Sequence, residues 1–172
     1  MVADANLLTF GSSKTSRDVS TPLDRALLLE FRRMSDLVIT DAATASAEGY
    51  KPSKIVEIEI WTKTGNSRDI KNHTATDELH ALGVVQIEDE SKRLHELLQL
   101  HKSILLETGL TLTAVLAKKK LIDEACISIT SADSEIRALN ALEKMKAKIG
   151  LGYLNQQSHV WLDMTLFARL KR

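Results

Sequence analysis

SILLETGLTLTAVLAKKKLIDEACISIT, from Ser103 to Thr130, decides the fold. It reads as strand, one-glycine turn, helix, short reversal and strand. Ser103 to Leu106 is a short apolar run closed by Glu107, and Thr108-Gly109 breaks it. Leu110, Leu112, Val115 and Leu116 then resume apolar character at helical spacing. A helix that starts directly after a strand points unpaired backbone N–H groups, and the positive end of its dipole, at whatever lies above the sheet edge. An anion fits there. An ordinary strand-to-helix turn fits the same spacing, because a single glycine is far weaker than a full glycine-rich fingerprint.

Working outward, the remaining elements alternate. Asn6 to Phe10 reads as a first strand, and Gly11 to Ser20 as a polar loop. Pro22 follows Thr21 as first helical residue after a cap, and Leu23, Ala26, Leu27, Phe31 and Met34 form an apolar stripe. Leu37 to Thr40 is a short strand. In Ile55 to Thr62, Val56, Ile58 and Ile60 alternate with Glu57 and Glu59, the pattern of a half-exposed or edge strand. Val84 to Ile87 is a further strand and Lys92 to His101 a helix. Beyond the opening stretch, Ser134 to Ile149 is a helix with Asp133 as candidate cap, and His159 to Leu170 a terminal strand or hairpin arm. Strands alternating with helices predict an α/β sheet covered on both faces, with ligands beyond the C-terminal strand ends, where Thr40, Thr62 and Glu107 fall.

Composition narrows the function classes. A chain of 172 residues suits one domain over 1–172, and 23 basic against 23 acidic residues leave no electrostatic footprint for nucleic acid or an anionic membrane. Lys118-Lys119-Lys120 is the basic run, read as complementing a helix C-terminus. The single cysteine, Cys126, excludes an internal disulfide and suits a reducing, cytoplasmic compartment. No apolar stretch approaches the ~20 residues needed to span a bilayer, and MVADANLLTF has no secretory pattern. His95 and His101 do not share a helix face, so no metal site is expected.

Two further segments join the opening one: STPLDRALLLEFRRMSDLVITDAATASAEGYKP (Ser20 to Pro52) and EIWTKTG (Glu59 to Gly65). In this order, Ser20 to Arg25, Arg32 to Ile39, Asp41 to Tyr50, Glu107 to Leu112 and Leu121 to Glu124 resemble the C-terminal reductase domain of the bifunctional riboflavin-biosynthesis deaminase-reductase, in the dihydrofolate reductase-like superfamily. The resemblance spans roughly Thr9 to Glu124. It implies a dihydrofolate reductase-like α/β fold, with a mixed, mostly parallel sheet and helices on both faces. It also implies NADPH as cofactor, a small phosphorylated pyrimidine as substrate, and a homodimer formed through sheet edges near the terminal strand.

Residue by residue, the resemblance implies that Thr62, Lys63 and Thr64 hold the 2′-phosphate of NADPH. Lys63 would supply the charge, as a point-charge substitute for a forked guanidinium. Thr44 and Glu48 would touch the cofactor from the loop Thr44 to Tyr50, and Thr108, Gly109, Leu110 and Thr111 would form the phosphate turn. Arg32, Lys54, Ser16 and Glu107 would face the substrate. Glu107 ends a buried strand, where an ionised carboxylate requires a donor such as an aminopyrimidine amino group. No acid, base or proton donor is identifiable.

The chain departs from the family at three places. The element near the first strand, Thr9 to Lys14, lacks the family aspartate. The segment between the Ile55 and Val84 strands, Asn72 to Leu82, is short. Thr108 stands where the family has the first of two glycines, joined there by a bond that is often cis, and a cis bond before a non-proline residue costs about 3 kcal/mol. Those losses suit a second reading, a non-catalytic paralogue that keeps the fold and binds a nucleotide or only dimerises.

Overall fold

The computed structural model describes residues 1–67, 70 and 82–172. The expected short segment around Asn72 to Leu82 therefore lies, apart from Leu82 itself, outside the described residues. The chain divides into two compact units, Met1–Ala26 with Ala114–Arg172, and Leu27–Thr113.

The second unit holds every site residue expected above except Ser16. Its strands β2 (Leu37–Asp41), β3 (Glu57–Thr62), β4 (Gly83–Gln86) and β5 (Ile104–Leu106) form one sheet in the order β4-β3-β2-β5. Every pairing in it is parallel. Parallel strands need crossovers, and the sequence supplies helical ones. Helix α2 (Ala42–Glu48) follows β2 and α3 (Glu90–Leu98) follows β4. Val38, Ile58 and Ile60 pack with Ala45, Val56, Ile70 and Leu82 as the core.

In the first unit, β1 (Val2–Asp4), β6 (Glu124–Thr130), β7 (Asn155–Leu162) and β8 (Thr165–Lys171) form a mixed sheet in the order β1-β6-β8-β7. β1 pairs with β6 in parallel, while β8 runs antiparallel to both β6 and β7. The hairpin turns at Asp163-Met164, both with positive φ (48° and 54°), as a tight two-residue turn requires. The helix spanning Glu135–Ile149, numbered α5 below, buries Ala138, Leu142, Met145 and Ile149. Helices α1 (Pro22–Arg33) and α4 (Leu110–Lys118) are the other α-helices among the described residues. The fold is thus α/β, mixed and mostly parallel, with flanking helices.

Several expectations change. The first strand is Val2–Asp4 and not Asn6 to Phe10. Asp4 Oδ1 accepts from the N–H groups of Asn6 (2.9 Å) and Leu8 (2.8 Å), and Leu7 has φ 66°, so the chain turns where a strand was read. β3 is not an edge strand. It lies between β4 and β2, and Ile58 to Thr62 are all buried, Glu59 included. The alternation failed as a guide because Glu59 is neutralised in place: Arg93 donates to both its oxygens (3.0 and 2.6 Å) and Trp61 Nε1 donates to Oε1 (2.7 Å). In place of the loop read from Thr44 to Tyr50, residues Ala42–Glu48 are helical, because Asp41 caps the start and Gly49 (φ 63°) the end. Helix α1 begins as expected, with Asp24 N–H donating to Thr21 Oγ1 (3.2 Å), yet it buries no residue, and Leu23 and Met34 are exposed. The cap of α5 is Ser134, one residue after Asp133.

Candidate functional site

Because β2, β3 and β5 are parallel, their C-terminal ends fall on one edge of the second unit. Register places Ile39 opposite Leu106 and Asp41 opposite Trp61. The turns after β3 and β5 therefore flank the end of β2, about 10 Å apart across two strand spacings. Thr62 to Thr64 and Glu107 to Gly109 share this edge with Asp41 and Thr44.

Glu107 is the electrostatic centre. Its side chain is 6% exposed, and its carboxylate accepts from Arg32 Nε (2.7 Å) and Nη2 (2.5 Å) in a two-pronged pair. The Tyr50 hydroxyl donates to the same carboxylate. Arg32 also lies over the Tyr50 ring, 5.3 Å from its centroid. The bond to Glu107 holds Arg32 firmly protonated, and burial, reinforced by the Glu107 charge, pushes the Tyr50 phenol well above its ordinary range. The backbone is tied as tightly: Glu107 N–H donates to Ile39 O (2.9 Å) and Thr40 Oγ1 donates to Glu107 O (2.7 Å). Two residues expected to face a substrate, Arg32 and Glu107, thus face each other.

The Gly109 turn has an internal partner too. Gly109 N–H donates to Asp41 Oδ2 (2.7 Å), Thr44 Oγ1 donates to the same oxygen (2.9 Å), and Thr44 N–H donates to Asp41 Oδ1 (2.9 Å). Thr108 and Thr113 share a hydroxyl hydrogen bond (2.8 Å). No cis peptide occurs among the described residues, so the Thr108–Gly109 bond is trans. Leu110 opens α4 half-buried and Thr111 is exposed.

At the β3 turn, Thr62 Oγ1 accepts from Gly65 N–H (2.6 Å) and Thr64 Oγ1 from Asn66 N–H (3.0 Å). As an acceptor the Thr62 hydroxyl keeps a proton to donate. Lys63 is 86% exposed and lies 3.8 Å from Glu90. This turn thus presents an exposed cation, whereas the Gly109 amide already serves a carboxylate.

The remaining expected residues are dispersed. Glu48 ends α2 half-buried. Lys54 lies before the N-terminal end of β3, in a groove with Val56 and Ile58, at the opposite end of the strand from Thr62. Ser16 belongs to the first unit, in the 3₁₀ turn Ser16–Asp18. Sequence reading missed Tyr50 and Asp41 as site residues. The spacing Asp41-x-x-Thr44 is a readable helix-cap signal, but nothing local announces the reach of Asp41 to Gly109.

No protein-family model and no curated protein matches this chain. Solved structures do. A pyrimidine reductase-like protein from Corynebacterium diphtheriae matches with TM-score 0.68 at 13% identity, over 99% of this chain and 88% of that one. Acinetobacter baumannii RibD matches with TM-score 0.68 at 18% identity, over 99% of this chain and 56% of that one. A Thermotoga maritima diaminohydroxyphosphoribosylaminopyrimidine deaminase/5-amino-6-(5-phosphoribosylamino)uracil reductase matches with TM-score 0.57 at 9% identity, over 98% and 52%. The chain therefore spans about half the length of the latter two. What is shared is the fold, the dihydrofolate reductase-like α/β arrangement. No helix among the described residues is long and apolar enough to cross a membrane.

Proposed function

We propose that this chain is a reductase of the riboflavin-pathway type, with NADPH as hydride donor and a phosphoribosylamino-pyrimidine as acceptor. The observation that supports it best is the turn after β3: an exposed Lys63 between two hydroxyls, at the C-terminal edge of a parallel sheet, in a fold shared with proteins described as pyrimidine reductases. The cofactor supplies the hydride, and the chain's part is to hold and orient it. Thr62, Lys63 and Thr64 would take the 2′-phosphate, with Thr44 and Glu48 beside the cofactor. Thr108 to Thr111 belong to this reading as wall and not as phosphate cradle. A substrate would meet Arg32 and Glu107 through exchange of their mutual bonds, since both are already engaged. The same reading includes a homodimer, for which the exposed edge strand β7 offers a sheet edge.

A second reading, a non-catalytic paralogue that keeps the fold, is favoured by the Asp41 carboxylate on the Gly109 amide. Titration with NADPH and NADH, followed by nicotinamide absorbance with an aminouracil ribotide present, separates the two. Oxidation of NADPH supports the reductase, and NADPH binding without turnover supports the paralogue. No binding, together with an unaltered Lys63→Ala variant, removes both cofactor readings and leaves a paralogue that only dimerises. Sedimentation as a monomer at micromolar concentration would contradict the dimer.

A further inference from the structure

We propose that Asp41 is the specificity-determining residue of this edge. It lends the chain's own carboxylate to the Gly109 amide and so keeps the phosphate of any ligand away from the start of α4. This rests on the reading of the edge as a nucleotide site and goes beyond it by naming what the site rejects.

The carboxylate is held from two elements at once. It accepts from Thr44 N–H and Thr44 Oγ1 on α2, and from Gly109 N–H before α4. The Thr40 hydroxyl, bonded to Glu107 O, keeps the ends of β2 and β5 in the register that allows the reach. Glycine at 109 is explained by the same contact. A Cβ there would lie 3.1 Å from Thr44 Oγ1 and 3.5 Å from Asp41 Oδ2, so a side chain would press on the Thr44–Asp41 pair. An amide N–H donates once, and here a neighbouring anion has taken it. A phosphate oxygen brought to Gly109 N would have to displace Asp41 or sit against it, with repulsion between like charges at close range. Expulsion is opposed because the carboxylate would leave three donors behind.

Asp41→Asn tests the charge, since asparagine caps a helix as well as aspartate does and has the same shape. Inorganic pyrophosphate is titrated into ¹⁵N-labelled full-length wild type, Asp41→Asn and Asp41→Ser, with the Gly109 amide resonance as readout. The serine variant keeps a capping oxygen and guards against loss of one variant to misfolding. The expected result is no pyrophosphate-dependent shift at Gly109 in wild type and a saturable shift in both variants, at least tenfold tighter than any wild-type response. A wild-type shift with the same midpoint as the variants overturns the proposal. So does the absence of a shift in all three, because removal of the charge would then have opened nothing. NADPH titration of the same proteins and of Lys63→Ala reports separately on the nucleotide reading. If NADPH fails to bind in every case while pyrophosphate reaches Gly109 only in the variants, the role of Asp41 stands and the nucleotide reading falls.

Discussion

Replacement of Arg32 by methionine isolates the pair at the centre of the site. Glu107 is 6% exposed and takes two hydrogen bonds from Arg32, so Arg32→Met leaves a buried carboxylate with the Tyr50 hydroxyl as its remaining side-chain donor. Removal of one partner of a buried ion pair costs about 3–5 kcal/mol. Arg32 is 21% exposed and Tyr50 stays, which favours the lower end, about 3 kcal/mol. For a chain of this size that is a fall in Tm of about 6–12 °C. Urea unfolding followed by tryptophan fluorescence would measure it as a lower midpoint at unchanged slope. In the double variant Arg32→Met/Glu107→Met the stranded charge is gone and the cost falls to the unmet Tyr50 hydroxyl, about 1–3 kcal/mol. The double variant should therefore be no less stable than Arg32→Met. A loss under about 1 kcal/mol for Arg32→Met, or a double variant destabilised by the sum of the single losses, would refute the claim that these groups are a buried pair.

Tyr50 adds a pH signature. Its phenol titrates above its ordinary value in the folded chain, so its contribution is complete below pH ~10. At higher pH the unfolded chain releases that proton and the folded chain keeps it, so stability falls by up to ~1.4 kcal/mol per pH unit. Tyr50→Phe should flatten that decline in urea midpoints taken between pH ~9 and ~11, and an unchanged slope would count against the buried phenol. Burial likewise raises the Cys126 thiol, so alkylation by iodoacetamide at pH ~8 should run several-fold slower than that of glutathione, and equal rates would contradict the placement. Gly49→Ala should cost about 1 kcal/mol, read as a Tm fall of ~2–4 °C, because φ is 63° while no atom lies within 4 Å of the added carbon. An unchanged Tm would show that α2 ends otherwise.

The parts of the fold legible in the sequence are those written locally. Pro22 after Thr21 marked a helix start, the Leu110 periodicity marked α4, and the apolar runs marked β2, β5 and β6. Errors arose where a polar side chain satisfies backbone or charge at a distance. Asp4 turns the chain that Asn6 to Phe10 seemed to extend, and Arg93, 34 positions away, lets Glu59 sit inside a sheet that alternation had left half open. The site follows the same rule. Lys63 and its hydroxyls are contiguous and could be picked out as a group. The pairing of Arg32 with Glu107 spans 75 positions and that of Asp41 with Gly109 spans 68, and neither distance has a period or a motif.

The candidate edge is therefore more self-sufficient than its composition suggests. Three carboxylates in or just beyond its parallel strands have donors of their own: Asp41 from Thr44 and Gly109, Glu59 from Arg93 and Trp61, Glu107 from Arg32 and Tyr50. A ligand that binds here must trade against bonds that also hold β2, β3 and β5 in place, so affinity and stability are linked. Lys63 stands outside that arrangement. Its side chain is 86% exposed and its ammonium lies 3.8 Å from Glu90, so a phosphate can approach it without breaking any buried bond. Exposure also limits what it contributes. A screened surface pair yields roughly 0–1 kcal/mol, less than a tenfold preference for a ligand with the extra phosphate. Strong selection of NADPH over NADH would require the Thr62 and Thr64 hydroxyls to turn toward the ligand together with Lys63.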